Sequence, residues 1–522
     1  MHTIGVKKRR SLALLSAGAM IGLAGCAAQI ATPPAAPLGS ANITASDIFA
    51  RIEFLASDAL RGRDTPSPGL EAAAAYIVSE HRRMGLEPAG ENGSYYQRYP
   101  FALRRLSVDG TRMRVTTARG SEDLVLGRDF FTAGGTTGPI EASLLFVGRD
   151  IPVSAQGGTF RDRVVVTALP GDGLSRDFRQ LRTQQMSRAQ AEGARAVIHV
   201  LEPGWSPERF AAGARAAEQP RRTLGSNIAF PQIFLSHAAA ERLFAAGGLD
   251  LAGLWAGAQN GSVEPATFSG VTVSTALPEQ RLDEAMAPNV AAVLRGSDPQ
   301  LRNEYVILSA HMDHVGVGNP VNGDSIYNGA DDNASGTAAL LEIAQAFASL
   351  PLAERPRRSI IFLHVSGEEK GLLGSRWYSD NPTVPLEQIV ANINVDMIGR
   401  NSPDSVVVIG KDYSTLGEVV DRVSAARQEL RLVASDDIWP DERFFFRSDH
   451  FNFARREIPA IFFFTGVHED YHRPSDTVDK IDTDKAERVS RLIYYVTQDI
   501  ANNPRRPSWD PAGLEEVRSL TR

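Results

Sequence analysis

The chain has 522 residues, a formal net charge of −7, 43% hydrophobic residues and 22% charged residues. This length is sufficient for two or three domains with a large core, and the composition is that of an ordinary globular protein. The negative net charge does not favour the positively charged surface that nucleic-acid binding needs, so we expect no nucleic-acid partner. Cys26 is the single cysteine, which excludes an intrachain disulfide and a zinc site built from thiolates.

Residues 1–26 have the pattern of an export signal. The basic stretch from Lys7 to Arg10 precedes an apolar run, residues 12–23, that is too short for a permanent membrane anchor. The run ends in L-A-G-C, which resembles a bacterial lipobox, after which the cysteine is lipidated. We therefore expect a lipoprotein attached through Cys26 to the periplasmic face of a bacterial membrane, which by this pattern we expect to be the outer membrane. The alternative is a secreted protein without a lipid anchor.

The next segments predict a tether and then the start of a folded domain. Residues 27–45 are rich in Ala, Pro and Ser, which is typical of a flexible linker. Helical spacing of apolar residues begins at Ser46 and recurs over residues 69–84, where Gly85 ends it. We expect residues 46–133 to form the N-terminal part of a catalytic domain.

The sequence pattern changes near Gly134. Short strands, among them residues 142–147, 164–167 and 196–200, are separated by Gly- and Asp-containing turns and one helix. This stretch resembles a protease-associated domain, the insert carried by many secreted exopeptidases. We expect residues 134–275 to form a smaller, β-rich inserted domain.

Residues 276–502 alternate apolar strands with amphipathic helices. This alternation predicts an α/β fold with a doubly wound, mostly parallel sheet and helices on both faces. The polar tail, residues 503–522, is expected to be loosely attached. The predicted strands are residues 289–294, 305–309, 360–365, 389–395, 406–409 and 458–464.

Histidines and carboxylates stand at the ends of these strands, where open α/β sheets place their sites. The candidate metal ligands are His311, Asp332, Glu369, Asp396 and His472. Imidazole and carboxylate without thiolate suit zinc, and two ions about 3.5–4 Å apart need one bridging carboxylate and two further ligands each. Glu368 and Glu369 are adjacent and cannot share a face, so one of the pair is free to act as general base on a metal-bound water.

Five motifs in order carry a family resemblance. H-M-D-H, G-A-D-D-N-A-S-G, S-G-E-E-K-G-L-L-G-S, N-V-D-M-I-G and Y-H-R-P-S-D-T resemble the series of the co-catalytic di-zinc aminopeptidases related to bacterial leucyl aminopeptidases. The resemblance implies that His311 and Asp396 hold one zinc ion and that Glu369 and His472 hold the other. It also implies that Asp332 bridges both ions and is followed by a cis peptide bond.

The same resemblance implies roles for residues around the ions. Glu368 would be the general base and proton shuttle. Asp313 would accept a hydrogen bond from the second ring nitrogen of His311 and so fix its tautomer. Tyr471 would stabilise the oxyanion of the tetrahedral intermediate.

Two further residues, Arg447 and Phe464, lie in segments that resemble the substrate contacts of the family. The alternative is a surface arginine and a core phenylalanine. His314, His364 and His468 are not expected to be ligands.

These patterns predict an exported, lipid-anchored di-zinc aminopeptidase that acts on peptides with a free N-terminus. Glutaminyl cyclases share the fold and much of the ligand set but use one zinc ion, and carboxypeptidase action is not excluded by spacing. A non-catalytic peptide-binding protein on the same scaffold is a further alternative, which should have lost ligands.

Overall fold

The structure is a computed structural model that describes residues 38–136, 138–151, 158, 160–173, 175–225, 230–261 and 263–521. The predicted signal peptide and residues 27–37 of the predicted tether lie outside the described residues. Among those that are described, no helix combines the length and apolar character needed to cross a bilayer.

Twelve α-helices are found in the described part of the chain. They are α1 (Ala45–Leu55), α2 (Pro68–Arg83), α3 (Arg176–Ala191), α4 (Pro207–Glu218), α5 (His237–Ala246), α6 (Leu251–Gln259), α7 (Gly336–Ala348), α8 (Leu373–Asp380), α9 (Leu416–Ala426), α10 (His450–Ala454), α11 (Thr483–Asn502) and α12 (Pro511–Thr521).

The strands of the same residues form three sheets. They are β1 (Glu87–Pro88), β2 (Tyr96–Leu106), β3 (Arg112–Thr117), β4 (Gly120–Leu124), β5 (Phe130–Ala133), β6 (Ile140–Phe146), β7 (Val164–Leu169), β8 (Ala196–Leu201), β9 (Arg221–Leu224), β10 (Gln232–Leu235), β11 (Ala266–Ala276), β12 (Glu279–Leu294), β13 (Tyr305–His311), β14 (Gly316–Val321), β15 (Asp324–Tyr327), β16 (Ser359–Val365), β17 (Ile389–Val395), β18 (Ser405–Ile409), β19 (Val433–Ser435) and β20 (Ala460–Phe464).

The ten-stranded sheet has the order β19-β18-β20-β17-β13-β16-β12-β2-β9, with β1 paired to β12. Its four central strands, β16, β13, β17 and β20, run parallel. On the flanks, β12, β2 and β9 pair antiparallel, and β18 runs antiparallel to β20. The parallel centre brings the carboxyl ends of four strands to one edge, which is where the candidate site lies.

Helices cover both faces of this sheet, as the α/β prediction requires. Alternate residues of β13 point to opposite sides, so Val306 and Leu308 join one core while Tyr305 and Ile307 join the other. The first core contains buried residues of α1, α7, α9 and α11, and the second contains residues of α8, α10 and α12. The predicted α/β class is confirmed, with parallel pairing concentrated in the middle of a mixed sheet.

Local signals in the sequence explain where several helices begin. The Thr44 side chain accepts the N–H of Asp47 at the start of α1, and the Ser67 side chain accepts the N–H of Leu70 at the start of α2. Helix α7 has no such side-chain cap. It continues instead from an irregular turn, Ala330–Ser335, that contains one of the predicted metal ligands.

The eight-stranded sheet has the order β4-β3-β11-β6-β7-β8-β10-β5. Its strands come from the segment between the start of β3 and the end of β11, and they enclose a core of their own. One strand of the predicted insert, β9, pairs with β2 of the larger sheet instead. The proposed limits of an inserted domain at residues 134 and 275 stay a prediction.

A third, two-stranded sheet is the hairpin β14–β15, which lies between two groups of predicted ligands in the sequence. Its tip, Asn322-Gly323, has φ values of 53° and 90°, the left-handed conformation that Asn and Gly favour in tight hairpin turns. Val317 is 46% exposed and Val321 is 37% exposed, so the hairpin projects into solvent.

The C-terminal tail differs from its prediction. Residues 503–522 were expected to be loosely attached because they are polar and contain proline. Helix α12 forms there, and its Val517 is buried in the second core of the large sheet. The reason is the helical spacing of Leu514 and Val517 in an otherwise polar stretch.

Candidate metal centre

The five predicted ligands lie together at the carboxyl edge of the central strands. His311 is the last residue of β13, and Asp396 directly follows β17. Glu369 lies in the loop after β16, His472 in the loop after β20, and Asp332 in the turn before α7. Strand ends that are aligned by parallel pairing explain why residues far apart in the chain meet here.

The first group of ligand atoms centres on His311. Its Nε2 lies 3.3 Å from Asp332 Oδ1 and 3.3 Å from Asp396 Oδ1. The His311 residue is 1% exposed and Asp332 is 3% exposed, so these polar atoms are almost removed from water.

The second group centres on His472 and uses the other oxygen of the same aspartate. His472 Nε2 lies 3.1 Å from Asp332 Oδ2 and 3.1 Å from Glu369 Oε2. Asp332 therefore contributes one carboxylate oxygen to each group. A bridging carboxylate between two adjacent cations requires this arrangement.

The spacing of the donor atoms suits binding to divalent cations better than hydrogen bonding to one another. Asp332 Oδ2, Glu369 Oε1 and His472 Nε2 are buried without a hydrogen-bond partner, and an unpaired buried polar atom is costly. Ligands at about 2.0–2.1 Å from a tetrahedral zinc ion are about 3.3–3.4 Å apart, close to the separations of 3.1–3.3 Å seen here. Two imidazoles and three carboxylates are also the donor types that zinc accepts.

The charges within the cluster are strongly coupled. Burial raises the pKa of Asp332, but the imidazoles of His314, His311 and His472 outweigh burial and hold that pKa well below its usual range. Burial raises the pKa of Glu368 well above its ordinary value, and the neighbouring Glu369 carboxylate adds to the effect. Neighbouring carboxyl groups whose pKa values are shifted in opposite directions are typical of functional sites.

The backbone around Asp332 is fixed by hydrogen bonds. Asp476 accepts the main-chain N–H of Asp331 and of Asp332, each at 3.1 Å. The peptide bond between Asp332 and Asn333 is cis, as the family resemblance implies. His472 has φ of 54°, an uncommon conformation for a residue with a side chain and one that recurs at functional sites.

A buried arginine holds the loop on which this cluster is built. Arg63 is 1% exposed and donates to the carbonyl oxygens of Met312, Asn328 and Gly329 at 2.9, 2.7 and 3.0 Å. Burial lowers the pKa of Arg63 to about 10, while the neighbouring carboxylates favour its charged form. The sequence analysis did not single out Arg63, because its partners are main-chain carbonyls, and those of the site loop are more than 200 residues away.

Asp313 lies behind the cluster in a different role from the one predicted. Its Oδ2 accepts the hydroxyl of Thr65 and the N–H of Gly367, both at 2.8 Å. His311 Nδ1 is 3.2 Å from the Asp313 carbonyl oxygen and 3.8 Å from Oδ1. The expected hydrogen bond from the imidazole to the carboxylate is therefore not made, and the main-chain carbonyl takes its place.

Two of the remaining predicted residues contact the site or its border. The Tyr471 ring stacks on the His472 ring with centroids 3.9 Å apart. Phe464 ends β20 beside the strand that carries Asp396 and is 3% exposed, packed against Phe444.

The third, Arg447, stands farther out. Its guanidinium lies over the Phe444 ring, 4.7 Å from the centroid, and its Nη1 is 3.1 Å from Glu442 Oε2. Its side chain is 46% exposed. The structure thus places Arg447 on the surface next to the aromatic cluster that contains Phe464.

His314 belongs to the cluster although it was not expected to be a ligand. Together with Asp332 and Glu369 it forms a group whose ligand atoms all lie within 4.8 Å of one another. The signal in the sequence was its position directly after His-x-Asp, which the prediction discounted. The other two discounted histidines differ: His364 packs against His81, and His468 Nε2 lies 3.4 Å from Asp331 Oδ2.

Comparison with known proteins identifies the family that this region matches. Residues 289–497 match Peptidase family M28. This confirms the predicted resemblance to zinc aminopeptidases over that segment, which contains the five predicted ligands and Glu368.

Individual relatives agree with this match. A probable leucine aminopeptidase of Arthroderma benhamiae is 26% identical over 222 residues, which are 41% of this chain and 58% of the relative. A probable zinc metalloprotease of Pyricularia oryzae is 27% identical over 262 residues, covering 41% and 50% of the two chains. The chain thus spans only about half the length of these relatives.

The solved structure of an aminopeptidase from Aneurinibacillus sp. strain AM-1 is also similar, at 19% identity and a TM-score of 0.46 over 90% of this chain and 97% of that one.

Proposed function

We propose that this protein is a zinc-dependent aminopeptidase that releases N-terminal residues from peptides. The observation that carries the proposal is the sharing of Asp332 between two groups of ligand atoms. Glu368 interacts electrostatically with His311, Glu369 and Asp396 of these groups. The match to Peptidase family M28 supports the reaction class.

Two zinc ions would occupy the two groups. His311 and Asp396 would hold the first ion, Glu369 and His472 the second, and Asp332 both. When bound, zinc supplies Lewis acidity that lowers the pKa of water toward roughly 7 and polarises a carbonyl oxygen.

Glu368 acts as the general base and proton carrier. Its carboxylate accepts a proton from the attacking water and delivers that proton to the amine of the departing peptide. Burial raises the pKa of Glu368, which is the direction that a base working near neutral pH requires.

Tyr471 is the donor to the developing oxyanion. Burial and the nearby carboxylates raise the pKa of its hydroxyl, so the group stays protonated and able to donate at neutral pH. Its stacking on His472 keeps it beside the ligands.

The charge of the site bears on which end of a peptide it accepts. Six acidic side chains lie near the ligands: Asp313, Asp332, Glu368, Glu369, Asp396 and Asp449. Those that are ionised attract an α-ammonium group and repel a terminal carboxylate. This favours aminopeptidase action over carboxypeptidase action.

The deciding experiment incubates the zinc-loaded protein without residues 1–26 with a mixed peptide library and follows the products by mass spectrometry. Stepwise loss of residues from the N-terminus is the expected result and ranks the side-chain preference. Loss from the C-terminus would make it a carboxypeptidase, and loss of ammonia from peptides that begin with Gln would make it a glutaminyl cyclase. Unchanged peptides with zinc bound would leave a peptide-binding protein.

The proposal includes export and lipid attachment at Cys26, which rests on the L-A-G-C motif after a basic and an apolar segment. Cys26→Ser should move the protein from the membrane fraction to the soluble periplasmic or secreted fraction, because the acylated residue is lost. Fractionation and immunoblotting measure this. Equal membrane association of the variant would contradict the lipid anchor.

A further inference from the structure

His314 lies inside the second group of ligand atoms. The residue is fully buried, and its Nδ1 is 2.8 Å from Glu369 Oε1 and 3.6 Å from Asp332 Oδ2. Its ring approaches the His472 ring edge-on, with centroids 5.7 Å apart. Two imidazoles and two carboxylates therefore converge on one small space.

The atoms that converge there lack other partners. His314 Nδ1, Asp332 Oδ2, Glu369 Oε1 and His472 Nε2 are all buried and make no hydrogen bond. The close approach of His314 Nδ1 to Glu369 Oε1 is thus not aligned as a hydrogen bond. Buried polar atoms are almost always satisfied, which indicates that a partner binds at this place.

A single cation bound between these side chains would give all four a common partner. Neighbouring ligands separated by angles of 90–110° on a zinc ion with bonds of about 2.0–2.1 Å are about 2.9–3.4 Å apart. His314 Nδ1 to Glu369 Oε1 at 2.8 Å and His472 Nε2 to Asp332 Oδ2 at 3.1 Å lie close to that range. His472 Nε2 is also 3.1 Å from the other Glu369 oxygen, Oε2, and His314 Nδ1 is 3.6 Å from Asp332 Oδ2.

We propose that His314 is a fourth protein ligand of the second cation site, binding through Nδ1. The inference rests on the proposed two-zinc centre and deepens it. Among the residues that the structure describes, the first site receives protein ligands from His311, Asp332 and Asp396. The second site is then closed by protein, and the first keeps the open position that a catalytic site needs for water and substrate.

The direct test counts imidazoles in the wild-type chain loaded with Co²⁺. Each imidazole bound to cobalt through one nitrogen shows a strongly shifted proton NMR signal from the N–H of its other nitrogen, which exchanges in deuterated water. Three such signals are expected, from His311, His314 and His472. Two signals from a protein that binds two cobalt ions would overturn the proposal.

A variant tests the same assignment through affinity. His314→Phe keeps a ring of similar size and removes the ligand, so the second ion should bind at least tenfold more weakly while the first is unchanged. Calorimetric titration of the zinc-free protein measures both steps. Unchanged affinity for both ions would overturn the proposal. Weaker binding of the second ion with an unaltered number of shifted N–H signals would also overturn it, because His314 would then be a positioning residue and not a ligand.

The matched control is His364→Phe, since His364 is equally buried but packs against His81 rather than the ligands. This variant should bind two ions with wild-type affinity. The NMR count and the calorimetric titration both measure metal binding and do not depend on peptide cleavage. Three imidazole signals from a protein that cleaves no peptide would refute the proposed function and leave the ligand assignment intact.

Discussion

At the scale of single residues, the two adjacent glutamates show how one short loop supplies both the proposed ligand and the proposed base. The Glu369 side chain is 4% exposed and enters the second group of ligand atoms, while Glu368 is half-buried beside that group. Neighbouring residues in a turn point in different directions, so the pair can provide both a ligand and a base.

Removing the basic oxygen of Glu368 should separate these functions. Glu368→Gln keeps the size of the side chain but cannot accept the proton, so kcat should fall roughly 10²–10⁴-fold with zinc content unchanged. Steady-state kinetics and metal analysis measure the two effects. Glu354→Gln, at an exposed position, is the control and should retain full activity. Near-native turnover of Glu368→Gln would rule out its role as the base.

The five proposed ligands could be picked out from sequence because four of them end or follow apolar strands and Asp332 precedes a helix. The roles of His314 and Arg63 could not, because they depend on how the segment between Met312 and Gly329 folds back. The position of His314 next to the His-x-Asp motif does not indicate that its side chain points toward Glu369. An arginine whose partners are main-chain carbonyls leaves no complementary residue in the sequence.

At the scale of elements, the central strands agree closely with their predictions. Residues 360–365 and 389–395 were predicted, and the structure has Ser359–Val365 and Ile389–Val395. Continuous apolar runs of this kind indicate burial on both faces. The antiparallel pairing of the flanking strands was not predicted, because the partner of a strand depends on connections that the hydrophobic pattern does not encode.

Helix α7 connects the site to the core, so a cavity within it should destabilise the fold. Leu340 is fully buried between the sheet and the surrounding helices. Leu340→Ala should lower the free energy of unfolding of the zinc-free chain by roughly 2–5 kcal/mol, because apolar contacts are lost and a cavity remains. Denaturant titration measures the change.

The exposed Leu352, just after α7, provides the comparison for this substitution. It is 65% exposed, so Leu352→Ala should change the free energy of unfolding by at most about 0.5 kcal/mol. Similar losses for both variants would show that burial of α7 does not control stability.

At the scale of the whole molecule, buried neutral histidines connect stability to pH. Burial lowers the pKa of His81, His199 and His450 to about 3, and it lowers the pKa of His364 well below the ordinary value. These residues are distributed over both large sheets and their helices. In the unfolded chain each would bind a proton near pH 6.5.

Acid should therefore destabilise the zinc-free protein through these groups. Below pH 6.5 the unfolded state binds protons that the folded state does not, so each such histidine lowers the free energy of unfolding by about 1.4 kcal/mol per pH unit, down to its folded pKa. His364→Phe removes one of them, and the slope between pH 6 and pH 4.5 should decrease by that amount. Denaturant unfolding at several pH values measures it.

Phe362→Leu alters the packing near the same pair of histidines without removing a titrating group. This variant should be less stable at every pH but should keep the wild-type slope. If His364→Phe kept that slope as well, the assignment of the acid sensitivity to His364 would be wrong.

The hairpin β14–β15 and the Arg63 contacts together have a consequence for protein engineering. Arg63 fixes the chain at Met312 before the hairpin and at Asn328 after it, and the hairpin strands β14 and β15 between these points carry none of the proposed ligands. The exposed hairpin tip at Asn322-Gly323 could carry a grafted epitope or fluorophore tag, because lengthening a loop costs little once its ends are fixed.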